Sequence, residues 1–272
     1  MKTNSIIGAI AGDIVGSAYE FHPVKKMDFP LFTPQSTFTD DTVMTMANAT
    51  WLCEDPDHTA KQLVAAMHTF GENYPHRGYG GRFRMWLWNE ETEPYNSYGN
   101  GSAMRVSPVG FYARTLDEAL SLAKISAEVT HNHPEGIKGA QATAAAIFMA
   151  RQGASKTEIR DYVEQTFQYD LHRTVDAMRP SYRFTEICQT SVPESIICYL
   201  ESDTWEQTVR KAVSMGGDAD TMACIAGGIA AATPGMKVPA DIADRCYGIL
   251  DPLLRQHLSS FDQMLENRHK PA

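Results

Sequence analysis

Apolar residues recur at three- and four-residue spacing along almost the whole chain, and no stretch alternates with a period of two as a half-buried strand would. Ile6, Ile7, Ile10, Ile14 and Ala18 make one face of a first helix. Gly8, Gly12 and Gly16, four residues apart, leave room for another backbone beside it. The pattern predicts further helices over Val43–Cys53, from a Thr59 cap to Phe70, and over Arg82–Trp88, where Phe83, Trp86 and Leu87 are core residues. Ala103–Tyr112 is helical with a stop or bend at Pro108. Thr115-x-x-Glu118 is a capping box opening a helix to Val129, Pro134 starts an alanine-rich helix to Arg151, and Ser155-x-x-Glu158 opens another to Phe167. Helices resume over Glu194–Glu201, Glu206–Met215, Met222–Ala232, Ala240–Leu250 and Asp251–Leu258, and the last residues fray. Tyr74–Gly81 and Glu90–Asn100 are polar, turn-rich loops. Over residues 168–191 the periodicity fails, which predicts a lid or a surface loop. The expected fold is all-α: one compact helical domain spanning residues 1–272, with about ten helices.

Composition changes this picture little but bounds the function. A 272-residue chain that is 43% hydrophobic and 21% charged buries a sizeable core, and no Pro/Ser/Gly-rich linker divides it. A net charge of −9 and a pI near 5.5 argue against the nucleic-acid backbone as main partner. An anionic small ligand stays compatible, because bound cations reverse the local field. The five cysteines are odd in number and scattered, as expected of reduced core residues. Asp13 interrupts the N-terminal apolar run, which is also too short for a membrane span. A cytoplasmic, monomeric protein without a membrane partner is expected. G-x-S-x-G, GxxxxGK[ST] and H-E-x-x-H are absent, so serine-hydrolase, P-loop and zincin chemistries lack their starting residues.

Two acidic stretches stand out, each just before a helix: Thr39-Asp40-Asp41-Thr42 and Gly216-Gly217-Asp218-Ala219-Asp220-Thr221. Aspartate at a helix start has a plain explanation in capping and the helix dipole. Two aspartates in each stretch exceed what capping needs. If the two helix starts meet, four carboxylates converge beside hydroxyl oxygens and repel one another unless cations neutralise them. Such an oxygen-only set suits Mg²⁺, Mn²⁺ or Ca²⁺ rather than zinc. Ser97-Tyr98-Gly99-Asn100-Gly101-Ser102 is a polar, glycine-containing run leading into a helix. It is either a tight interhelical turn or a loop that turns several N–H groups toward one anion. Glu20 closes the first helix, where a glutamate is ordinarily solvated. His131, in Thr130-His131-Asn132-His133, lacks the partners of a zinc sphere.

Five ordered segments resemble the ADP-ribosylglycohydrolase family, of the dinitrogenase-reductase-activating type. They are Gly8–Asp13 with Gly16 and Glu20, Phe38–Thr42, Gly78-Tyr79-Gly80, Ser97–Arg105 and Gly216–Thr221. The resemblance implies a helical domain with two divalent cations, Mg²⁺ or Mn²⁺, at its centre. Thr39, Asp40, Asp41, Asp218, Asp220 and Thr221 match the family's metal ligands, with Asp220 between both ions. It implies that the Ser97–Ser102 loop contacts the diphosphate and adjoining sugar of ADP-ribose, that Tyr98 stacks on adenine, and that His131 lies near the substrate. Glu20 matches a mobile acidic residue over the distal ribose, and Asp218 is the expected general base. The implied activity is cleavage of the glycosidic bond between ADP-ribose and an acceptor, an ADP-ribosylated protein side chain such as arginine or a small-molecule conjugate. A two-metal phosphoesterase or pyrophosphatase acting on a nucleotide sugar would use the same carboxylates. A non-catalytic ADP-ribose-binding or crystallin-like relative would be expected to have lost aspartates, and here both stretches are intact.

Overall fold

The computed structural model describes residues 5–89 and 92–270. Its helices in chain order are α1 (Ile7–Gly16), α2 (Asp40–Glu54), α3 (Ala60–Asn73), α4 (Gly81–Trp88), α5 (Gly101–Met104), α6 (Ser107–Tyr112), α7 (Leu116–Glu128), α8 (Pro134–Arg151), α9 (Lys156–Phe167), α10 (Val175–Met178), α11 (Cys188–Leu200), α12 (Trp205–Ser214), α13 (Ala219–Ala232), α14 (Ala240–Ile249) and α15 (Pro252–Arg268). Among the described residues there is no strand, only an isolated antiparallel bridge between Gly99 and Ile187. The all-α expectation holds. No helix among them is long and apolar enough to cross a membrane.

The centre of the fold is the antiparallel pair α1 and α13, every residue of which is buried. The glycine spacing in α1 is what lets them approach. A Cβ on Gly12 would fall 2.1 Å from the Ala223 carbonyl oxygen, and one on Gly16 2.4 Å from that of Ala219. Gly8 faces Gly227 in the same way, with a Cβ placed 2.7 Å from its carbonyl oxygen. This contact sets the end of α1 beside the start of α13, and so positions the acidic residues. Gly12→Val should destabilise the chain by about 3 kcal/mol or more, because backbone rather than a flexible side chain must yield. An unchanged urea midpoint for that variant would mean the two backbones are not in contact.

Several boundaries differ from the sequence expectation for identifiable reasons. The Ala103–Tyr112 helix is two short helices, with Pro108 in the first turn of the second. α11 starts at Cys188 rather than Glu194 and carries Pro193 inside. Pro193 forfeits one backbone bond, but Ser191–Leu200 are all buried, and that packing outweighs the local penalty. The C-terminus does not fray over the described residues. α15 runs to Arg268, whose guanidinium holds the Tyr112 carbonyl at 2.9 Å and pairs with Glu118. The Ser155 capping box is complete. That at Thr115 is half made, because Glu118 accepts from the Arg114 N–H instead. The stretch 168–191 contains α10 and the start of α11, and its last irregular residues pair with the glycine loop rather than standing off as a surface loop. There Asn100 N–H donates to the Glu186 carbonyl at 2.7 Å and Cys188 N–H to that of Tyr98 at 3.0 Å.

Candidate metal centre and active site

Capping does not account for the aspartates. The side chain that caps α2 is Thr39, which accepts from Asp41 N–H at 3.3 Å. A second cap comes from another helix: Asp13 of α1 accepts from the Thr39 N–H at 2.9 Å, the Thr42 N–H at 3.2 Å, and both threonine hydroxyls. Asp218 sits at the cap position of α13 but makes no capping bond. Its carboxylate instead takes the Asn100 amide at 2.7 Å and a hydrogen bond with Asp220. The carboxylates of Asp40, Asp41 and Asp218 are therefore left for something other than the helix ends.

They converge. Asp13, Asp41 and Asp220 each place an oxygen within 4.8 Å of the others, and so do Glu20, Asp218 and Asp220. Asp220 belongs to both groups. Asp41 Oδ1 is buried and has no hydrogen-bond partner among the described residues. Its Oδ2 lies 3.4 Å from the Thr39 hydroxyl and 3.3 Å from that of Thr221. Asp40 lies outside both groups, with its backbone N–H on the Arg77 carbonyl and its side chain facing Gly78.

Burial followed by mutual repulsion dominates the electrostatics. Asp40, Asp41 and Asp220 are pushed well above the usual carboxylate range by burial first and by neighbouring carboxylates next. Burial raises Asp13 and Asp218 to about 6, held back by the hydrogen bonds they accept. Glu20 rises to about 8, through burial and then the nearby Asp220, with which it shares a hydrogen bond. Without cations the cluster must hold protons. An orphaned buried oxygen and an all-oxygen donor set at these spacings fit hard divalent cations in their place.

A cavity of about 240 Å³ opens over this floor. Of the expected substrate loop it is lined by Ser97, Gly99, Asn100 and Gly101, with His131 beside them. Tyr98 and Ser102 do not line it. Tyr98 is 45% exposed and packs on His133, whereas Ser102 is buried with its hydroxyl on the Gly136 carbonyl at 2.7 Å. The loop is also a poorer anion cradle than its glycines suggest. Gly99 N–H donates to the Ser97 hydroxyl and Asn100 N–H to the Glu186 carbonyl.

Sequence reasoning missed three contributors. Asp13 had one signal, an aspartate on a helix otherwise built of buried residues. Arg105 lines the cavity although its side chain lies far from the acidic stretches in sequence. Glu186 arrives from the irregular stretch, where no periodicity points to it.

The family description ADP-ribosylglycohydrolase matches residues 3–270. The mouse protein "ADP-ribosylhydrolase ARH3" is 28% identical, over 89% of this chain and 86% of its own length. "ADP-ribosylarginine hydrolase Tri1" of Pseudomonas putida is 24% identical, over 86% of this chain and 70% of its own. A solved structure titled "ADP-ribosylglycohydrolase-related protein complex" shares the fold, with a TM-score of 0.75 at 21% identity over 99% of this chain and 98% of that one. The chain is a hydrolase that belongs to the ADP-ribosylglycohydrolase family.

Proposed function

We propose that this chain cleaves the glycosidic bond between ADP-ribose and an acceptor, an arginine side chain being the first candidate. The observation that carries the reading is the pair of carboxylate groups sharing Asp220 on the floor of a cavity flanked by the glycine loop. Two divalent cations, Mg²⁺ or Mn²⁺, would be held by Asp41, Asp220 and Thr221 with Thr39, Asp40 and Asp218, and Asp13 and Glu20 stand close enough to take part. Bound there, the cations supply Lewis-acid polarisation of ribose and water oxygens. The transition state resembles an oxocarbenium ion, which a floor of carboxylates favours.

The chain's own residues do the rest. Asp218, held by Asn100, accepts the proton of the attacking water. Glu20 holds a proton at neutral pH and is bonded to Asp220. It follows a helix end and can swing out when Asp220 takes another partner. Glu20→Gln should lower turnover at least about tenfold with cation affinity retained; wild-type turnover in single-turnover assays would leave Glu20 without a part in the reaction.

Tyr98, half-exposed beside the loop that lines the cavity, is the ring proposed to stack on the adenine. Tyr98→Ala should then cost about 1–3 kcal/mol of affinity, equally for free ADP-ribose and for substrate. Unchanged ADP-ribose affinity would remove Tyr98 from the site.

Mass spectrometry on ADP-ribosylated arginine, serine and nucleotide substrates tests the function. Intact ADP-ribose and a restored acceptor support it. Release of AMP with a phosphoribosylated acceptor would identify a pyrophosphatase using the same carboxylates.

A further inference from the structure

Arg105 is 1% exposed and pairs with no carboxylate among the described residues. Its Nη2 donates to the Ser126 carbonyl at 2.7 Å and to the Thr130 hydroxyl at 2.9 Å, while its buried Nε has no partner. Thr130, fully buried, stands 2.7 Å from Nδ1 of His131. These contacts have a direction. A guanidinium only donates, so the Thr130 oxygen accepts from Arg105. The Thr130 hydroxyl proton then has one partner among the described residues, His131 Nδ1. Were Nδ1 protonated instead, that buried hydroxyl proton would be stranded. His131 therefore accepts at Nδ1 and carries its proton at Nε2.

The Nε2 atom points at the glycine loop. It lies 3.2 Å from where a Cβ on Gly101 would sit and 3.4 Å from that on Gly99, and His131 lines the cavity. No described residue accepts from it. The imidazole stays uncharged at neutral pH, because burial first, then Arg105 and Arg82, push its pKa well down; the Tyr95 ring covers another side at 6.0 Å. With the Gly99 and Asn100 N–H groups committed elsewhere, this N–H stands with those of Gly101 and Ser102 as a donor beside the loop.

We propose that Arg105 and Thr130 are positioning residues that fix His131 as its Nε2–H tautomer, so that the ring donates a hydrogen bond to a phosphoryl oxygen of a diphosphate held over the glycine loop. The inference rests on the ADP-ribose reading for its ligand and on the hydrogen-bond chain for its tautomer. A bound diphosphate would also supply the negative charge that the buried Arg105 lacks.

Long-range ¹H–¹⁵N correlation spectra of the ligand-free chain, with His131 assigned through His131→Gln, test the tautomer without any substrate. The expected pattern at pH 7 is a protonated Nε2 and a bare Nδ1. A protonated Nδ1 overturns the proposal. Thr130→Val should lose the tautomer bias and bind ADP-ribose about tenfold more weakly, the worth of a hydrogen bond to a charged group. Thr130→Ser should restore both. Equal ADP-ribose affinity in Thr130→Val with a changed tautomer would also overturn it. A wild-type chain that binds no ADP-ribose would refute the ligand reading, and the phosphoryl contact with it.

Discussion

Asp220→Asn is expected to abolish turnover while making the cation-free protein more stable. Asp220 is the carboxylate common to both groups, so its loss removes an oxygen donor from each at once. Activity should fall on the order of 10³-fold, since no remaining carboxylate reaches both groups. The stability effect has the opposite sign because Asp220 is buried among Asp218, Asp13 and Glu20, each of which disfavours its charge or has its own charge disfavoured by it. Replacing it with an uncharged amide of similar shape relieves that repulsion. In EDTA at pH 7.5 the variant should be more stable than wild type by about 1–3 kcal/mol in urea. An active variant, or one less stable in EDTA, would contradict the role given to Asp220.

Chelation should produce the second large effect, and it depends on pH. In the folded chain, burial holds the pKa values of Asp13 and Asp218 near 6, above the ordinary aspartate value of 3.8, and that of Glu20 near 8 against an ordinary 4.5. The folded chain thus binds more protons than the unfolded one between about pH 4 and 8. Stability from these groups is fully present below their unfolded pKa values and is lost as pH rises through the folded ones. In EDTA the chain should lose at least on the order of a few kcal/mol across that window, with Asp40, Asp41 and Asp220, pushed up further by burial, acting in the same direction as Asp13 and Asp218. Cations bind the deprotonated form, so Mg²⁺ or Mn²⁺ should stabilise more at pH 8 than at pH 6. Thermal unfolding at several pH values, with EDTA and with Mg²⁺, measures both. Stability in EDTA that rises from pH 5 to 8 would be inconsistent with a cluster crowded enough to need cations.

Much of this was legible because the residues involved act through short-range rules. The four-residue glycine spacing of α1 announced a close backbone contact, and α13 supplies it at Ala219 and Ala223. The D-D and D-x-D stretches held more carboxylates than capping needs, and that the two helix starts meet came only from the fold. What escaped was set by partners distant in sequence. Asp13 is a cap for α2 delivered from α1, a relation no local pattern encodes. The glycine loop read as either a tight turn or a set of N–H donors, and Glu186 and Ser97, from outside that pattern and within it, occupy two of those donors. The helix expected from Glu194 starts at Cys188 instead, because the burial of α11 carries it through Pro193.

The most direct test of the central claim is electron paramagnetic resonance during titration of the metal-free chain with Mn²⁺. A shared Asp220 predicts two bound ions close enough for exchange coupling, a multiline spectrum in place of six isolated lines, and collapse of that coupling in Asp220→Asn. A wild-type spectrum that stays mononuclear at saturation, or a chain that binds no Mn²⁺ yet hydrolyses ADP-ribosyl substrate in EDTA, would contradict it.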